Sequence, residues 1–135
     1  MVAAAPQELQ KQFLTYFNAG DLDALMDLYE PDALFVGIGG EEALGSDAVR
    51  AALGGLLSLP ELSFSYTPTF SAQSDNVVLM HATWSLTGRG PYGSAVAMSG
   101  VTVEVARRGE DGGWRYVVDC PFGSAAVPAG GSREQ

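Results

Sequence analysis

Residues 77–87, VVLMHATWSLT, decide the fold of this chain. Successive side chains of a β-strand point to opposite faces of a sheet, so Met80, Ala82 and Trp84 share one face while Leu79 and His81 share the other. Apolar residues occur in both sets, as they also do in residues 95–107. We therefore expect both faces of the sheet to be buried.

Three further segments extend this pattern in both directions along the chain. Residues 62–71, 95–107 and 114–119 also read as strands, and glycine-rich turns at residues 88–91 and 109–113 separate strands that follow one another. Four consecutive strands joined by such turns predict an antiparallel meander.

The segment before residue 60 has a helical period instead. Apolar residues spaced by three and four predict a first helix over residues 6–19 that ends at Gly20. Asp21 is a suitable cap for a second helix, whose apolar face runs from residue 22 to Tyr29 and stops at Pro31.

A short strand is expected at residues 33–36, followed by a glycine-rich bend at residues 37–40. Ser46 is a suitable N-cap for a third helix that ends before Pro60. Helices first and strands afterwards is the α+β pattern, with the helices on one face of a curved sheet. The other face needs a cover, so we expect a homodimer through the outer sheet face.

Composition limits the partners and the setting. The chain has 135 residues and a formal net charge of −9, which disfavours nucleic acid and anionic membranes as partners. Cys120 is the sole cysteine, and the first residues lack the basic start and the long apolar run that are typical of a signal peptide. We expect one cytoplasmic domain over residues 6–123, with loose termini at residues 1–5 and 124–135.

Two parts of the chain resemble a known superfamily. Residues 16–25, YFNAGDLDAL, and residues 28–33, LYEPDA, resemble the opening of SnoaL-like and ketosteroid-isomerase-like proteins of the nuclear-transport-factor-like superfamily. Residues 104–108, 111–115 and 119–123 resemble its YybH-type branch. The resemblance implies a cystatin-like α+β roll, in which a cone-shaped antiparallel or mixed sheet wraps around three N-terminal helices. It also implies an interior that binds small apolar molecules and an outer sheet face that forms a dimer.

The same resemblance suggests site residues. Tyr16 lies where isomerase-like members carry a tyrosine, and Glu104 lies where they carry a protonated acid on a late strand. The position of the family's base falls on Gly37 or on its neighbours Val36 and Ile38, and none of these can accept a proton. The family's own isomerase mechanism is therefore incomplete in this chain.

Strand alternation yields candidate residues independently. Glu104 shares a face with Thr102 and Met98, and this face points inward if Glu104 is a pocket carboxyl. Burial would then raise the pKa of Glu104 and suit it to move protons near neutrality. The alternative is an ion pair with one of the arginines at positions 107, 108 and 115.

Asp119, with Val117, would enter the same interior and could share the acid and base roles with Glu104. Alternatively, Asp119 accepts backbone hydrogen bonds at the strand end. Tyr16 is either an oxyanion donor or a packed member of the helix stripe.

Met80, Ala82 and Trp84 either line a pocket or only pack in the core. His81 lies on the opposite face of its strand and is expected to point outward. No histidine is predicted beside Cys120 to activate its thiol. We expect no metal and no cofactor.

Two functions remain open. The first is cofactor-free isomerisation, cyclisation or dehydration of an apolar carbonyl compound by general acid–base chemistry, carried by Glu104, Asp119 and Tyr16. The second is a non-catalytic ligand-binding or dimerisation module, in which these side chains only satisfy one another's hydrogen-bonding requirements.

Overall fold

The computed structural model describes residues 3–37 and 39–123. These residues form one α+β unit, which confirms the predicted fold class. The helices are α1 (Pro6–Ala19), α2 (Leu22–Met26) and α3 (Ser46–Leu57). The strands are β1 (Tyr29–Val36), β2 (Glu42–Leu44), β3 (Ser63–Ser74), β4 (Val77–Arg89), β5 (Ala95–Arg108) and β6 (Trp114–Cys120).

The strands form one sheet in the order β2-β1-β6-β5-β4-β3. Strands β3 to β6 are antiparallel neighbours in sequence order, so the predicted meander is confirmed. Strand β1 pairs in parallel with β6 and makes the sheet mixed. The sheet curves around the helices and forms the cone that the resemblance implied.

The core lies between the helices and the concave face of the sheet. Phe13 and Phe17 project from α1 and contact Phe64 of β3, with ring centroids 5.9 and 4.4 Å apart. Leu53 of α3 and Tyr116 of β6 are fully buried in the same cluster. Aromatic burial on this scale is a major part of what holds such a small domain together.

The second helix is shorter than expected. It ends at Met26, and Tyr29 begins β1 instead of completing a helical face. The backbone oxygen of Leu28 accepts a hydrogen bond from the Tyr116 amide at 2.8 Å, so pairing with β6 overrides the local helical period. Pro31 lies inside β1, where the register with β6 shifts between Tyr29 and Leu34 and a missing amide donor is tolerated.

Two other local features differ from expectation. Strand β2 was not predicted, because three residues at a sheet edge carry too little periodicity. Helix α3 begins at Ser46, but its N-cap residue is Gly45, at a φ of 91° that favours glycine. The Ser46 hydroxyl instead donates to the Pro31 oxygen at 3.3 Å.

The N-terminal residues are partly fixed. Ala3 is buried and accepts a hydrogen bond from the Trp114 amide at 2.9 Å, so at least this residue of the segment 1–5 is held in place. The expected loose tail at residues 124–135 lies outside the described residues. Within the described part of the chain, none of the helices is long and apolar enough to cross a membrane.

Candidate functional site

A cavity of about 240 Å³ lies between α1, α3 and the concave sheet face. Most of its lining is aromatic or aliphatic, and its lining side chains are Phe13, Phe17, Phe35, Ala52, Leu53, Leu56, Phe64, Tyr66, Trp84, Leu86, Met98, Thr102, Glu104, Asp119, Pro121 and Phe122. Gly37 completes this lining. The cavity is therefore an apolar chamber with a small cluster of polar side chains at one side.

The sheet places two carboxyls together in that polar cluster. Glu104 on β5 and Asp119 on β6 are paired residues in neighbouring antiparallel strands. Paired residues point to the same side of a sheet, and here that side is the concave one. Only 3% of Glu104 and 4% of Asp119 is exposed, so both carboxyls have lost nearly all contact with bulk water.

Glu104 is surrounded by neutral hydrogen-bond partners. The Tyr66 hydroxyl lies 2.8 and 2.7 Å from its two carboxyl oxygens. The Gln10 amide donates to Oε1 at 3.4 Å and also to the Tyr66 hydroxyl at 3.1 Å. The Thr102 hydroxyl lies 3.4 Å from Oε2. These contacts fix the carboxyl without placing a positive charge beside it.

Asp119 has a separate set of hydroxyl donors. The Tyr29 hydroxyl donates to Oδ2 at 2.5 Å. The Thr102 hydroxyl lies 3.5 Å from Oδ1 and 3.3 Å from the backbone oxygen of Cys120. Thr102 therefore stands between the two carboxyls.

These surroundings separate the acidities of the pair. Burial, and next the charge of Asp119, raise the pKa of Glu104 to about 8, although hydrogen bonds from Tyr66, Gln10 and Thr102 oppose the rise. Burial raises the pKa of Asp119 to about 6, and the bonds from Tyr29 and Thr102 oppose that rise. Near neutral pH the cavity therefore holds one protonated and one ionised carboxyl.

The tyrosines of the cluster stay protonated. Burial is the largest cause that raises the pKa of Tyr66, and the charge of Glu104 adds to it. Burial and the charge of Asp119 likewise raise the pKa of Tyr29 well above its ordinary value. Both hydroxyls thus act as hydrogen-bond donors in the pH range in which the carboxyls titrate.

The structure brings together five of the residues predicted for the site. Glu104, Asp119, Thr102, Trp84 and Met98 all line the cavity. The alternative of an arginine partner for Glu104 does not match the observed pairs, since Arg107 pairs with Glu30, Arg108 with Asn76 and Arg115 with Asp111.

Four other predicted residues lie outside the cavity lining. Tyr16 is half-buried and packs against the core, because Phe13 and Phe17 occupy the cavity side of α1. Met80 and Ala82 are fully buried in the core beneath the helices. These three residues follow the packing alternative.

Val117 is displaced by a bulge. The register between β5 and β6 shifts between Val105 and Ala106, so Val105 pairs with Val118 and Ala106 pairs with Tyr116. The extra residue, Val117, breaks the alternation, and Tyr116 and Asp119 both point inward. The inward orientation expected for Val117 was therefore wrong, since the strand does not keep one parity throughout.

Sequence reasoning missed Tyr66, Tyr29 and Gln10 as partners of the carboxyls. Tyr66 belongs to the alternating apolar set of β3, and this pattern gives no sign that its hydroxyl matters. Tyr29 was assigned to a helix. Gln10 is buried on α1 beside Leu9, and a buried glutamine on an apolar helix face was the one available signal.

Other reactive residues lie away from this chemistry. His81 packs its ring against Phe70, with centroids 5.3 Å apart on the outer sheet face, as its alternation predicted. The Cys120 thiol donates to the Gly123 oxygen at 3.4 Å, and burial raises its pKa.

Of the positions expected for the family's base, Gly37 lines the cavity, Val36 is half-buried and Ile38 lies outside the described residues. Across residues 3–37 and 39–123, no three metal-ligating side chains come together.

Comparison with known proteins agrees with the architecture. The family model of the SnoaL-like domain matches residues 11–117. No curated protein matches the chain at a significant level. The YybH-type branch stays a prediction.

Solved structures share the fold at low sequence identity. A ketosteroid isomerase-like protein from Erwinia carotovora atroseptica has a TM-score of 0.75 at 19% identity, over 84% of this chain and 89% of that one. A nuclear transport factor 2-like superfamily protein from Salmonella enterica serovar Typhimurium has a TM-score of 0.74 at 17% identity, over 84% and 87%. A proposed dehydratase of the NTF2-like family from Streptomyces avermitilis has a TM-score of 0.72 at 19% identity, over 86% and 93%.

Proposed function

We propose that this chain, which belongs to the SnoaL-like family, is a cofactor-free acid–base enzyme. Its substrate is a compact, largely apolar carbonyl compound. The reaction is an isomerisation, cyclisation or dehydration that begins with removal of a proton beside the carbonyl group.

One observation carries this proposal: Glu104 and Asp119 are both buried in the wall of one apolar cavity and differ in acidity. A protonated and an ionised carboxyl side by side are the donor and the acceptor that proton transfer at a carbonyl compound needs. A carboxyl with a purely structural role can lie at the protein surface, where it stays in contact with water. Burying two carboxyls side by side costs free energy, and this cost favours a functional reason for the arrangement.

The roles follow from the protonation states. The Asp119 carboxylate takes the proton from the carbon next to the carbonyl group. The Glu104 carboxylic acid donates a hydrogen bond, and then its proton, to the carbonyl oxygen as the enol forms. The Tyr66 hydroxyl donates to the Glu104 carboxyl and holds it in position.

The size of the cavity limits the substrate. An engineered apolar cavity of about 150 Å³ accommodates benzene. By proportion, the 240 Å³ chamber accommodates a guest of about ten non-hydrogen atoms. Its rings at Phe13, Phe64 and Trp84 favour a flat, unsaturated guest that can stack or meet them edge-on. We therefore propose a one- or two-ring carbonyl compound.

The names of two fold neighbours are consistent with this chemistry. One is called ketosteroid isomerase-like and another a proposed dehydratase, and both reactions move protons next to a carbonyl or hydroxyl group. At 19% identity these likenesses concern the fold, and the two buried carboxyls are the features of this chain that support acid–base chemistry.

The alternative is a ligand-binding module without catalysis. One observation favours it: the carboxyl oxygens of Glu104 already have Tyr66, Gln10 and Thr102 as partners. A carboxyl that is satisfied in this way can be a structural part of the cavity wall. The two functions differ in one measurable respect. An acid–base enzyme accelerates the exchange of the protons beside the carbonyl group of a bound ketone with solvent, whereas a ligand-binding module does not.

We also propose that a second copy of the chain covers the outer sheet face. Phe70, Leu79 and Val101 are exposed there, and the paired strands extend this apolar surface through Val103 and Val105. Exposed apolar patches on a sheet face are typical of subunit interfaces.

The test uses β-tetralone, a two-ring ketone of about the proposed size, in deuterated water. The wild-type protein is expected to accelerate deuterium uptake beside the carbonyl group, as followed by NMR. Glu104→Gln and Asp119→Asn are each expected to slow the catalysed uptake by about a hundredfold or more. The exposed Glu110→Gln serves as a control and should match the wild type. Binding of β-tetralone without any acceleration of exchange would favour the ligand-binding module.

A further inference from the structure

The cavity follows the direction of strands β4 and β5. Three successive cross-strand pairs lie along it on the inward face of the sheet, namely Ala82 with Thr102, Trp84 with Gly100 and Leu86 with Met98. Glu104 lies two residues beyond Thr102, so Gly100 is about 13 Å from Glu104 along β5. On the other side of Glu104 the core is filled, because Met80 and Ala106 are fully buried there. A guest with its carbonyl group at the carboxyls can therefore extend along β5 toward Gly100.

The turn that follows β6 crosses the inward face of β5 at Gly100. Trp84 Nε1 donates a hydrogen bond to the Pro121 oxygen at 2.6 Å. The Phe122 ring meets the Trp84 ring edge-on, with centroids 5.4 Å apart. A Cβ atom at position 100 would lie 3.1 Å from the Pro121 oxygen and 3.2 Å from Trp84 Nε1. The absence of a side chain at Gly100 thus leaves the space that Trp84 and the turn fill.

The far end of the same turn is also fixed against β5. Gly123 has a φ of 53°, and a Cβ atom there would lie 2.9 Å from the Val101 oxygen, closer than side chains allow. The Gly123 oxygen accepts a hydrogen bond from the Cys120 thiol. Backbone contacts on both sides of Phe122 therefore hold its ring against Trp84.

Trp84 is also fixed from the other side. The Phe64 ring of β3 lies 6.2 Å from the Trp84 ring, centroid to centroid, so the indole stands between Phe64 and Phe122. All three rings line the cavity. By strand register, Trp84 stands between the level of the carboxyls and the level of Leu86 and Met98. The indole and the Phe122 ring thus narrow the path along β5.

We propose that Trp84 and Phe122 form a constriction that sets the maximum length of the guest, an inference that rests on the proposed function and deepens it. A two-ring ketone with its carbonyl group at Glu104 and Asp119 brings its second ring up to the constriction. A third ring in line with the first two has to pass between Trp84 and Phe122, where the side chains leave no room for it. The two residues determine specificity and take no part in proton transfer.

The first test compares β-tetralone with dihydroanthracenone, its linear three-ring homologue, by calorimetric titration. The wild-type protein is expected to bind the three-ring ketone at least about ten times more weakly than β-tetralone. Phe122→Ala removes the ring and should raise the ratio of the three-ring to the two-ring affinity by at least about tenfold. Tyr92→Ala removes a fully exposed ring from the β4–β5 connection and should leave this ratio unchanged.

The second test uses the wild-type protein and needs no substitution. The chain has two tryptophans, of which Trp84 lines the cavity and Trp114 lies outside its lining. In proton NMR spectra, saturating β-tetralone should shift the indole N–H signal of Trp84 and leave that of Trp114 in place. Bound β-tetralone that shifts neither signal would place the guest away from the constriction and overturn the inference.

The outcomes distinguish the constriction from the function it serves. Size selection without any deuterium exchange in the wild type leaves the constriction and overturns only the acid–base function. Equal wild-type affinities for the two ketones, or an unchanged ratio in Phe122→Ala, overturn the constriction and leave acid–base catalysis intact. Binding of neither ketone overturns both for this class of guest. A urea unfolding curve for each variant shows that the domain remains folded.

Discussion

Glu104 and Asp119 are direct cross-strand partners on β5 and β6, and both carboxyls point into the cone. A surface pair of this kind would repel weakly in water, but here burial adds to the repulsion and makes simultaneous ionisation costly. The pair therefore keeps a proton at pH values where ordinary carboxyls have lost theirs. This property has consequences for stability, binding and assembly that can be measured.

The first prediction concerns stability against pH. The folded state raises the pKa of Glu104 to about 8 and of Asp119 to about 6, so it binds protons more tightly than the unfolded chain. Their contribution is fully present below about pH 4 and is lost as the pH rises through about 6 and then about 8. We expect the free energy of unfolding in urea to fall over this range by on the order of a few kcal/mol.

The variant Glu104→Gln isolates this effect, because an amide cannot ionise. Its free energy of unfolding should fall less steeply with pH than that of the wild type and should exceed it at the alkaline end. Glu110→Gln alters an exposed carboxyl and should leave the slope unchanged. Parallel curves for wild type and Glu104→Gln would show that the Glu104 carboxyl ionises as readily in the folded protein as in the unfolded chain.

The second prediction compares two buried tyrosines. The Tyr66 hydroxyl contacts both oxygens of Glu104, whereas the Tyr116 hydroxyl is buried without a hydrogen-bond partner in the residues that the structure describes. Tyr66→Phe removes a donor that Glu104 uses and should destabilise the fold by about 1–3 kcal/mol. Tyr116→Phe should be neutral or stabilising. Thermal unfolding of both variants provides the measurement, and a loss for Tyr116→Phe as large as that for Tyr66→Phe would contradict the assignment.

The third prediction tests the cavity as a binding site. Ala52 faces the cavity from α3, while its neighbour Ala51 is exposed on the same helix. Ala52→Phe places a ring in the space of the guest and should weaken β-tetralone binding by at least about tenfold, or about 1.4 kcal/mol. Ala51→Phe adds the same ring at the surface and should leave binding unchanged. Calorimetric titration distinguishes the two, and equal affinities would place the guest elsewhere.

The fourth prediction concerns the outer sheet face. Val101 is 49% exposed in the single chain and lies on the same sheet face as the exposed Leu79 and Phe70. If a second copy covers it, Val101→Glu places a charge in the interface and should shift the protein from dimer to monomer. Tyr92→Glu changes a fully exposed residue of the β4–β5 connection and should leave the mass unchanged. Sedimentation analysis measures both, and a monomeric wild type at micromolar concentration would exclude this dimer.

Much of the fold could be predicted from local patterns. The first helix, the four-stranded meander and the shared sheet face of Met98, Thr102 and Glu104 follow from periods of 3.6 and two. The outward orientation of His81 follows from the same alternation. These features depend on residues that are neighbours in sequence, so the sequence by itself determined them.

The tertiary structure alone decided how distant segments meet. The parallel pairing of β1 with β6 turns Tyr29 from a helical residue into the donor for Asp119, and the two residues are 90 positions apart. The bulge in β6 moves Val117 out of the inward set, and the approach of α1 and β3 brings Gln10 and Tyr66 to Glu104. Such pairings result from competition among many long-range contacts, which local periodicity does not record. The carboxyls of the site were therefore visible in the sequence, while the hydroxyls that control them were placed by the fold.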